Sequence, residues 1–129
     1  MNYDLKKIDQ IFRDPNKKIT FLGYNDLNKS EEFWKELNEY FRFREKLELF
    51  LYDVVGYQGK LDFLKYLQNV RKLKLSNLQN IDGVKHLKSL SSLDIWDCPS
   101  SLDFNFSQNT KLERLYLSCL LYTSPSPRD

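Results

Sequence analysis

The sequence predicts an α/β fold in which successive coils of chain stack on one another and contribute strands to a short parallel sheet. One observation is that tight apolar pairs recur three times, at Leu73 and Leu75, at Leu93 and Ile95, and at Leu115 and Leu117. A second is that apolar residues occupy every third position from Leu78 to Leu90 between the first two pairs. A third is an amphipathic helical pattern over residues 30–43.

The tight pairs predict strands, because residues two apart point to the same face of a strand. Leu73 and Leu75 therefore enter a core, while Lys72, Lys74 and Ser76 face the other way. The period of three between the pairs favours 3₁₀-like turns, in which residues three apart stack on one side. Each coil thus has one polar strand face and an apolar interior, which stacking buries continuously.

The N-terminal half continues this pattern at longer intervals. Residues 19–21 and 47–49 are candidate strands, and the helix between them carries apolar residues with helical spacing. Ser30 is its candidate N-cap, followed by two acidic residues that complement the helix dipole. Residues 1–18 contain a further short helical pattern, which we interpret as an N-terminal cap over the first coil.

Three segments share one spacing of apolar residues, namely Val70-x-x-Leu73-x-Leu75-x-x-Leu78, Leu90-x-x-Leu93-x-Ile95-x-x-Cys98 and Leu112-x-x-Leu115-x-Leu117. They resemble the leucine-rich repeat signature, and their intervals of 20 and 22 residues fall within its range. The stretch NIDGVKHLKSLSSLDI is similar to the short bacterial internalin-like repeats in particular. The resemblance covers residues 19–118 and is specific from about residue 61 onward.

This resemblance implies a solenoid with a short parallel sheet on its concave face and helices or 3₁₀ turns on its convex face. It also implies recognition of a protein partner along the concave strands, and a buried structural role for Cys98 at the Asn/Cys position of the repeat. Residues 119–129, CLLYTSPSPRD, resemble instead the conceptual translation of a sequencing-library adapter, the alternative being a Ser/Pro linker. We therefore expect a truncated solenoid, a non-native tail and, without the tail's Cys119, an unpaired Cys98.

Composition excludes several classes of function. The net charge of +2 is too small to indicate a nucleic-acid or membrane-surface protein by itself. The sequence has neither a secretory signal pattern nor an apolar run long enough to cross a membrane, and two cysteines do not make a disulfide scaffold. We expect a cytoplasmic protein.

Residue patterns that carry chemistry are also missing from the sequence. His86 is the only histidine, with no nucleophile or metal ligands spaced around it, and the four glycines form no phosphate-binding motif. We expect a half-exposed surface histidine there, no cofactor, no metal and no enzymatic activity.

The outward strand positions form the candidate binding surface. We predict partner-binding residues at Trp96, Tyr116, Phe50, Lys72, Lys74, Asp94, Arg114, Glu48 and Lys46. Exposed aromatic and arginine side chains are typical of binding hot spots. The alignment places Lys46 and Arg114 in the row of Lys72, and it places Glu48 and Asp94 in the row of Lys74. The alternatives are that Phe50 lies in the core through a register slip and that Trp96 is covered by a loop.

These residues predict a non-catalytic module for protein–protein interaction that is a monomer when full length. One alternative is the recognition domain of a larger enzyme whose catalytic part is missing. A nucleic-acid binder is a further, less favoured alternative, because acidic side chains interrupt the basic stripe.

Overall fold

A parallel β-sheet organises the protein. The structure, a computed structural model, describes residues 18–21, 23–53, 59, 61–78, 80–98 and 105–119. The strands within these ranges are β1 (Lys18–Phe21), β2 (Glu48–Tyr52), β3 (Lys72–Ser76), β4 (Ser92–Cys98) and β5 (Arg114–Cys119). They lie in the order β1-β2-β3-β4-β5, and each pair of neighbours is parallel. Chain order and spatial order are therefore the same, and the predicted α/β class with a short parallel sheet is confirmed.

Helices connect the strands on one side of the sheet. They are α1 (Tyr24–Leu27), α2 (Glu31–Arg42) and two 3₁₀ helices at Asp62–Tyr66 and Asp82–His86. The N-cap prediction is confirmed, because Ser30 Oγ accepts a hydrogen bond from the Phe33 amide at 3.1 Å. The second 3₁₀ helix lies in the segment where a period of three predicted such turns, so this prediction is also confirmed.

The core lies between the sheet and these helices. In β2, β3 and β4 the alternating apolar residues are fully buried or nearly so, and they are Leu49 and Leu51, Leu73 and Leu75, and Leu93 and Ile95. From the helical side Trp34 stacks on Phe63 with ring centroids 4.2 Å apart and an interplanar angle of 18°. The alternating apolar residues of the strands and the apolar face of α2 thus form the two sides of one core.

The register of β2 differs from the sequence alignment by two residues. Leu49 pairs with Leu73, so Glu48 lies opposite Lys72 and Phe50 opposite Lys74. The expectation that Glu48 shares a row with Lys74 is therefore wrong. Lys46 lies in the turn before β2, so its expected place in the row of Lys72 is also wrong.

The apolar pair of β5 is exposed. Leu115 and Leu117 pair in register with the buried Leu93 and Ile95, yet 42% and 45% of their surfaces are accessible. They therefore lie on the core side of the sheet, as expected, and they are exposed because within the described ranges no further strand pairs with β5.

Two of the predicted segments fall mainly outside the described residues. The N-terminal cap predicted over 1–18 does so except for Lys18, which begins β1, and the tail predicted over 119–129 does so except for Cys119, which ends β5. In the part of the chain that the structure describes, no helix has both the length and the apolar character needed to cross a bilayer.

Candidate functional site

The side of the sheet that faces away from the core carries the candidate site, and we call it the open sheet face. It consists of the alternate residues of β2 to β5 and has three rows across the strands. In chain order the rows are Glu48, Lys72, Ser92 and Arg114; then Phe50, Lys74, Asp94 and Tyr116; then Tyr52, Ser76, Trp96 and Ser118. Because strand spacing is fixed at about 4.8 Å, neighbours within a row are close enough for their side chains to interact.

Lys74 and aromatic rings occupy the centre of this face. The Lys74 Nζ lies 5.0 Å from the ring centroid of Phe50 and 5.1 Å from that of Trp96, on the strands to either side. Both distances suit cation–π attraction. The Phe50 ring also lies 5.4 Å from that of Tyr52, and the half-buried Phe50 belongs to the open sheet face rather than to the core.

The aromatic side chains of this face remain accessible. The exposed fractions are 44% for Tyr52, 43% for Trp96 and 59% for Tyr116. Sequence reasoning missed Tyr52, because the two-residue register error placed the end of β2 too early. The signal that would have found it is the third leucine, Leu51, which extends the apolar alternation of β2 by one pair. Ser76, expected to be exposed, is buried at 3% and lies between Tyr52 and Trp96 in register.

Asp94 lies next to Lys74 but does not form an ion pair with it. In the described part of the chain, Asp94 Oδ1 is buried and has no hydrogen-bond partner. A buried carboxylate oxygen without a donor is unfavourable by about 1–3 kcal/mol. The Lys74 ammonium group instead lies over the rings of Phe50 and Trp96.

Polar residues also lie at the carboxyl ends of three strands. Asp53 follows β2, Asn77 follows β3, and Asp97 lies near the end of β4; their φ values are 47°, 59° and 54° respectively. Asp and Asn tolerate this left-handed conformation better than most residues. Asn77 Nδ2 donates to Asp53 Oδ1 at 2.9 Å, so this edge of the open sheet face carries acidic rather than basic side chains.

His86 has one carboxylate near it, at the limit of ion-pair distance. His86 Nε2 lies 4.0 Å from Asp62 Oδ1, and the histidine side chain is 32% exposed. Among the described residues no group of three or more His, Cys, Asp or Glu side chains is arranged to hold a metal ion. Cys98 is fully buried, as expected, and it is disulfide-bonded in this chain, which includes Cys119; that Cys98 is unpaired without the tail stays a prediction.

Two depressions lie on the other side of the molecule. One, of about 190 Å³, lies beside the second 3₁₀ helix and is lined by Asp82, Lys85 and Phe106 among others. The other, of about 370 Å³, lies between α2 and the first 3₁₀ helix. At its rim Glu31 accepts hydrogen bonds from Tyr66 at 3.2 Å and contacts Lys35 Nζ at 2.7 Å.

The contacts of Glu31 change its acidity. The hydrogen bond from Lys35, followed by that from Tyr66, lowers the pKa of the Glu31 carboxyl from its ordinary value, and the same contact raises the pKa of Lys35. Hydrogen bonds to the charged form of a carboxylate favour that form. The pair is exposed, so we interpret it as a stabilising surface contact of α2 rather than as a catalytic group.

Comparison with family models, with curated proteins and with solved structures gave no match.

Proposed function

We propose that this chain is a leucine-rich repeat module that binds a protein partner on the open sheet face and performs no catalysis. Three features support the repeat assignment: the parallel strands follow chain order, β3 to β5 recur at intervals of 20 and 22 residues, and 3₁₀ helices precede β3 and β4. On this assignment the strands line the concave side of a solenoid.

The observation that carries the proposed function is the exposure of Tyr52, Trp96 and Tyr116 on one face of a rigid sheet. Aromatic anchors supply much of the binding energy at protein interfaces, and they are enriched there relative to ordinary surface. Each lies on a strand of the sheet: Trp96 on β4, which pairs with a strand on either side, Tyr52 on β2 opposite Ser76, and Tyr116 on β5 opposite Asp94. Binding therefore orders little of this protein, which reduces the entropic cost of association.

The test is the capture of a partner from an extract by the immobilised protein and by its Trp96→Ala variant. We expect the variant to lose the partner, with an affinity reduced by about tenfold or more, because removing a central aromatic anchor costs about 2 kcal/mol. Its circular dichroism spectrum should match that of the parent, because Trp96 lies outside the core.

Phe43→Ala is the matched control. Phe43 is 81% exposed and follows α2, away from the open sheet face, so its removal should leave capture unchanged. A folded Trp96→Ala variant that captures the partner as well as the parent does would refute the proposed site.

A further inference from the structure

The open sheet face carries three cationic side chains, Lys72, Lys74 and Arg114. In the part of the chain that the structure describes, no carboxylate lies within ion-pair distance of Lys72, Lys74 or Arg114, although other ion pairs are present elsewhere. Lys72 and Arg114 occupy the same row with Ser92 between them. The observed register of β2 produces this row, because it places the acidic Glu48 at the end of the row, beyond Lys72 and away from Ser92 and Arg114.

Among the described residues, neither acidic side chain of the face forms an ion pair with these cations. Glu48 lies next to Lys72 on the side away from Ser92 and has an interaction of its own within the chain. Asp94 lies in the row of Lys74, and one of its carboxylate oxygens is buried. Lys72 and Arg114, at the amino ends of β3 and β5, are therefore available to an external anion.

The spacing of Lys72 and Arg114 suits one shared anion. They lie two strands apart, roughly 9.5 Å at ordinary strand spacing, and their long side chains leave the same face. A carboxylate above Ser92 is within reach of both cations and of the serine hydroxyl. Arginine additionally offers a planar fork of donors that matches a carboxylate.

Resting on the function proposed above, we propose that the partner presents an acidic segment. A carboxylate of that segment binds above Ser92 between Lys72 and Arg114, and an apolar or aromatic side chain four residues away packs on Trp96 and the neighbouring Tyr116. This spacing follows from the sheet, because Ser92 and Trp96 lie on one strand with Asp94 between them on the same face.

Charge favours an acidic protein segment over a nucleic acid. A nucleic-acid strand continuing from the cationic row across the face would meet Asp53 and Asp97 at the carboxyl ends of the strands, and phosphates would be repelled there. A short acidic segment carries only one or two negative charges, and these lie at the amino ends of the strands, near Lys72 and Arg114.

The experiment is an NMR titration of the ¹⁵N-labelled chain with three probes. They are a blocked hexapeptide that carries one glutamate and one leucine four residues apart in a serine background, its lysine–leucine counterpart, and a short oligothymidine. We expect the glutamate–leucine peptide to shift the Ser92 amide and the Trp96 indole N–H signals, whereas the buried Trp34 indole serves as the unperturbed reference. The other two probes should leave these signals unchanged.

Charge-removing variants test the assignment to particular residues. Lys72→Gln and Arg114→Gln should each raise the Kd of the glutamate–leucine peptide by about twofold to fivefold, as expected for an exposed ion pair. Lys85→Gln removes the same charge from the second 3₁₀ helix, across the core, and should have no effect.

Several outcomes would overturn the proposal of an acidic segment. Shifts caused by the lysine–leucine peptide or by oligothymidine would assign a different partner chemistry, and no shift with the glutamate–leucine peptide would exclude the acidic one. A failure of this proposal can be distinguished from a failure of the proposed binding function. If Trp96→Ala abolishes partner capture while Lys72→Gln and Arg114→Gln do not weaken it, the open sheet face binds the partner without an acidic segment.

Discussion

At the scale of the residue, Asn109 shows how a polar side chain is used inside the core. It stands six residues before Leu115, as the buried Leu87 stands before Leu93, but it is an amide. Its Nδ2 donates to the carbonyl oxygens of Val84 at 2.9 Å and Leu87 at 3.0 Å. These carbonyl oxygens also accept backbone N–H groups within the turn, so the Asn109 side chain adds a second donor to each and ties its coil to the preceding one.

We predict that Asn109→Ala lowers the free energy of unfolding by about 1–3 kcal/mol, because it removes two buried hydrogen bonds between neighbouring coils. Urea denaturation followed by circular dichroism measures this. Gln108→Ala is the control, because the Gln108 hydrogen bond with Lys88 is exposed, and it should cost less than half as much. Equal losses for the two variants would contradict the buried role of Asn109.

Glu31 gives a pH-dependent prediction. Its pKa is lower in the folded chain than its ordinary value, so folding favours the ionised form and the stabilisation is present above the ordinary pKa. As the pH falls through the folded pKa, that stabilisation is lost. The stability difference between the parent and Glu31→Gln should therefore be present at neutral pH and disappear in acid. A difference that stays constant or grows as the pH falls would contradict this.

Single residues also show what sequence could and could not predict. Ser30 as the helix cap and the inward Leu73 and Leu93 follow from local patterns, because capping and strand alternation depend on neighbours in sequence. The unpaired Asp94 oxygen and the position of Lys74 between two rings depend on side chains from three strands, which no local pattern specifies.

At the scale of the element, α2 is defined by its cap and its apolar stripe. Its buried side chains are Phe33, Trp34, Leu37, Tyr40 and Phe41, which cover one side of the helix. We predict that Ser30→Ala destabilises the protein by about 1 kcal/mol, whereas Ser30→Asp retains the cap. Thermal unfolding of the two variants measures this, and an aspartate variant as unstable as the alanine variant would contradict it.

The strands differ in how much their leucines contribute. We predict that Leu93→Ala in β4 costs about 2–5 kcal/mol, because it removes a fully buried side chain, whereas Leu115→Ala in β5 costs less than about 1.5 kcal/mol. The substitutions are chemically identical and the positions are paired in register, so each serves as the control for the other. Chemical denaturation giving equal costs would contradict the closed core of β4 and the exposed face of β5.

The register of β2 is the feature of the sheet that the sequence predicted wrongly. Leu47, Leu49 and Leu51 alternate, so two different pairs fit the repeat equally well. The structure uses Leu49 and Leu51 in the strand and buries Leu47 in the turn before it, where the Leu47 amide donates to the Arg44 carbonyl at 3.1 Å. The length of the turn after α2 decides between the pairs, and tertiary packing sets that length.

At the scale of the whole molecule, the sheet separates an apolar interior from a mixed open face. The tight pairs and the period of three predicted the parallel order, because each coil needs a neighbour to bury its leucines. They did not predict which outward side chains meet, since that depends on register, and a shift of two residues exchanges the row partners of every side chain on β2. The fold class was therefore more accessible from sequence than the site.

The register across β2, β3 and β4 joins the fold to the proposed function, and NMR measures it directly. Nuclear Overhauser contacts between backbone protons of adjacent strands should connect Phe50 with Lys74 and Lys74 with Asp94, as in the pairing described here. Contacts that connect Glu48 with Lys74 instead, or the absence of contacts between these strands, would contradict both the open sheet face and the site placed on it.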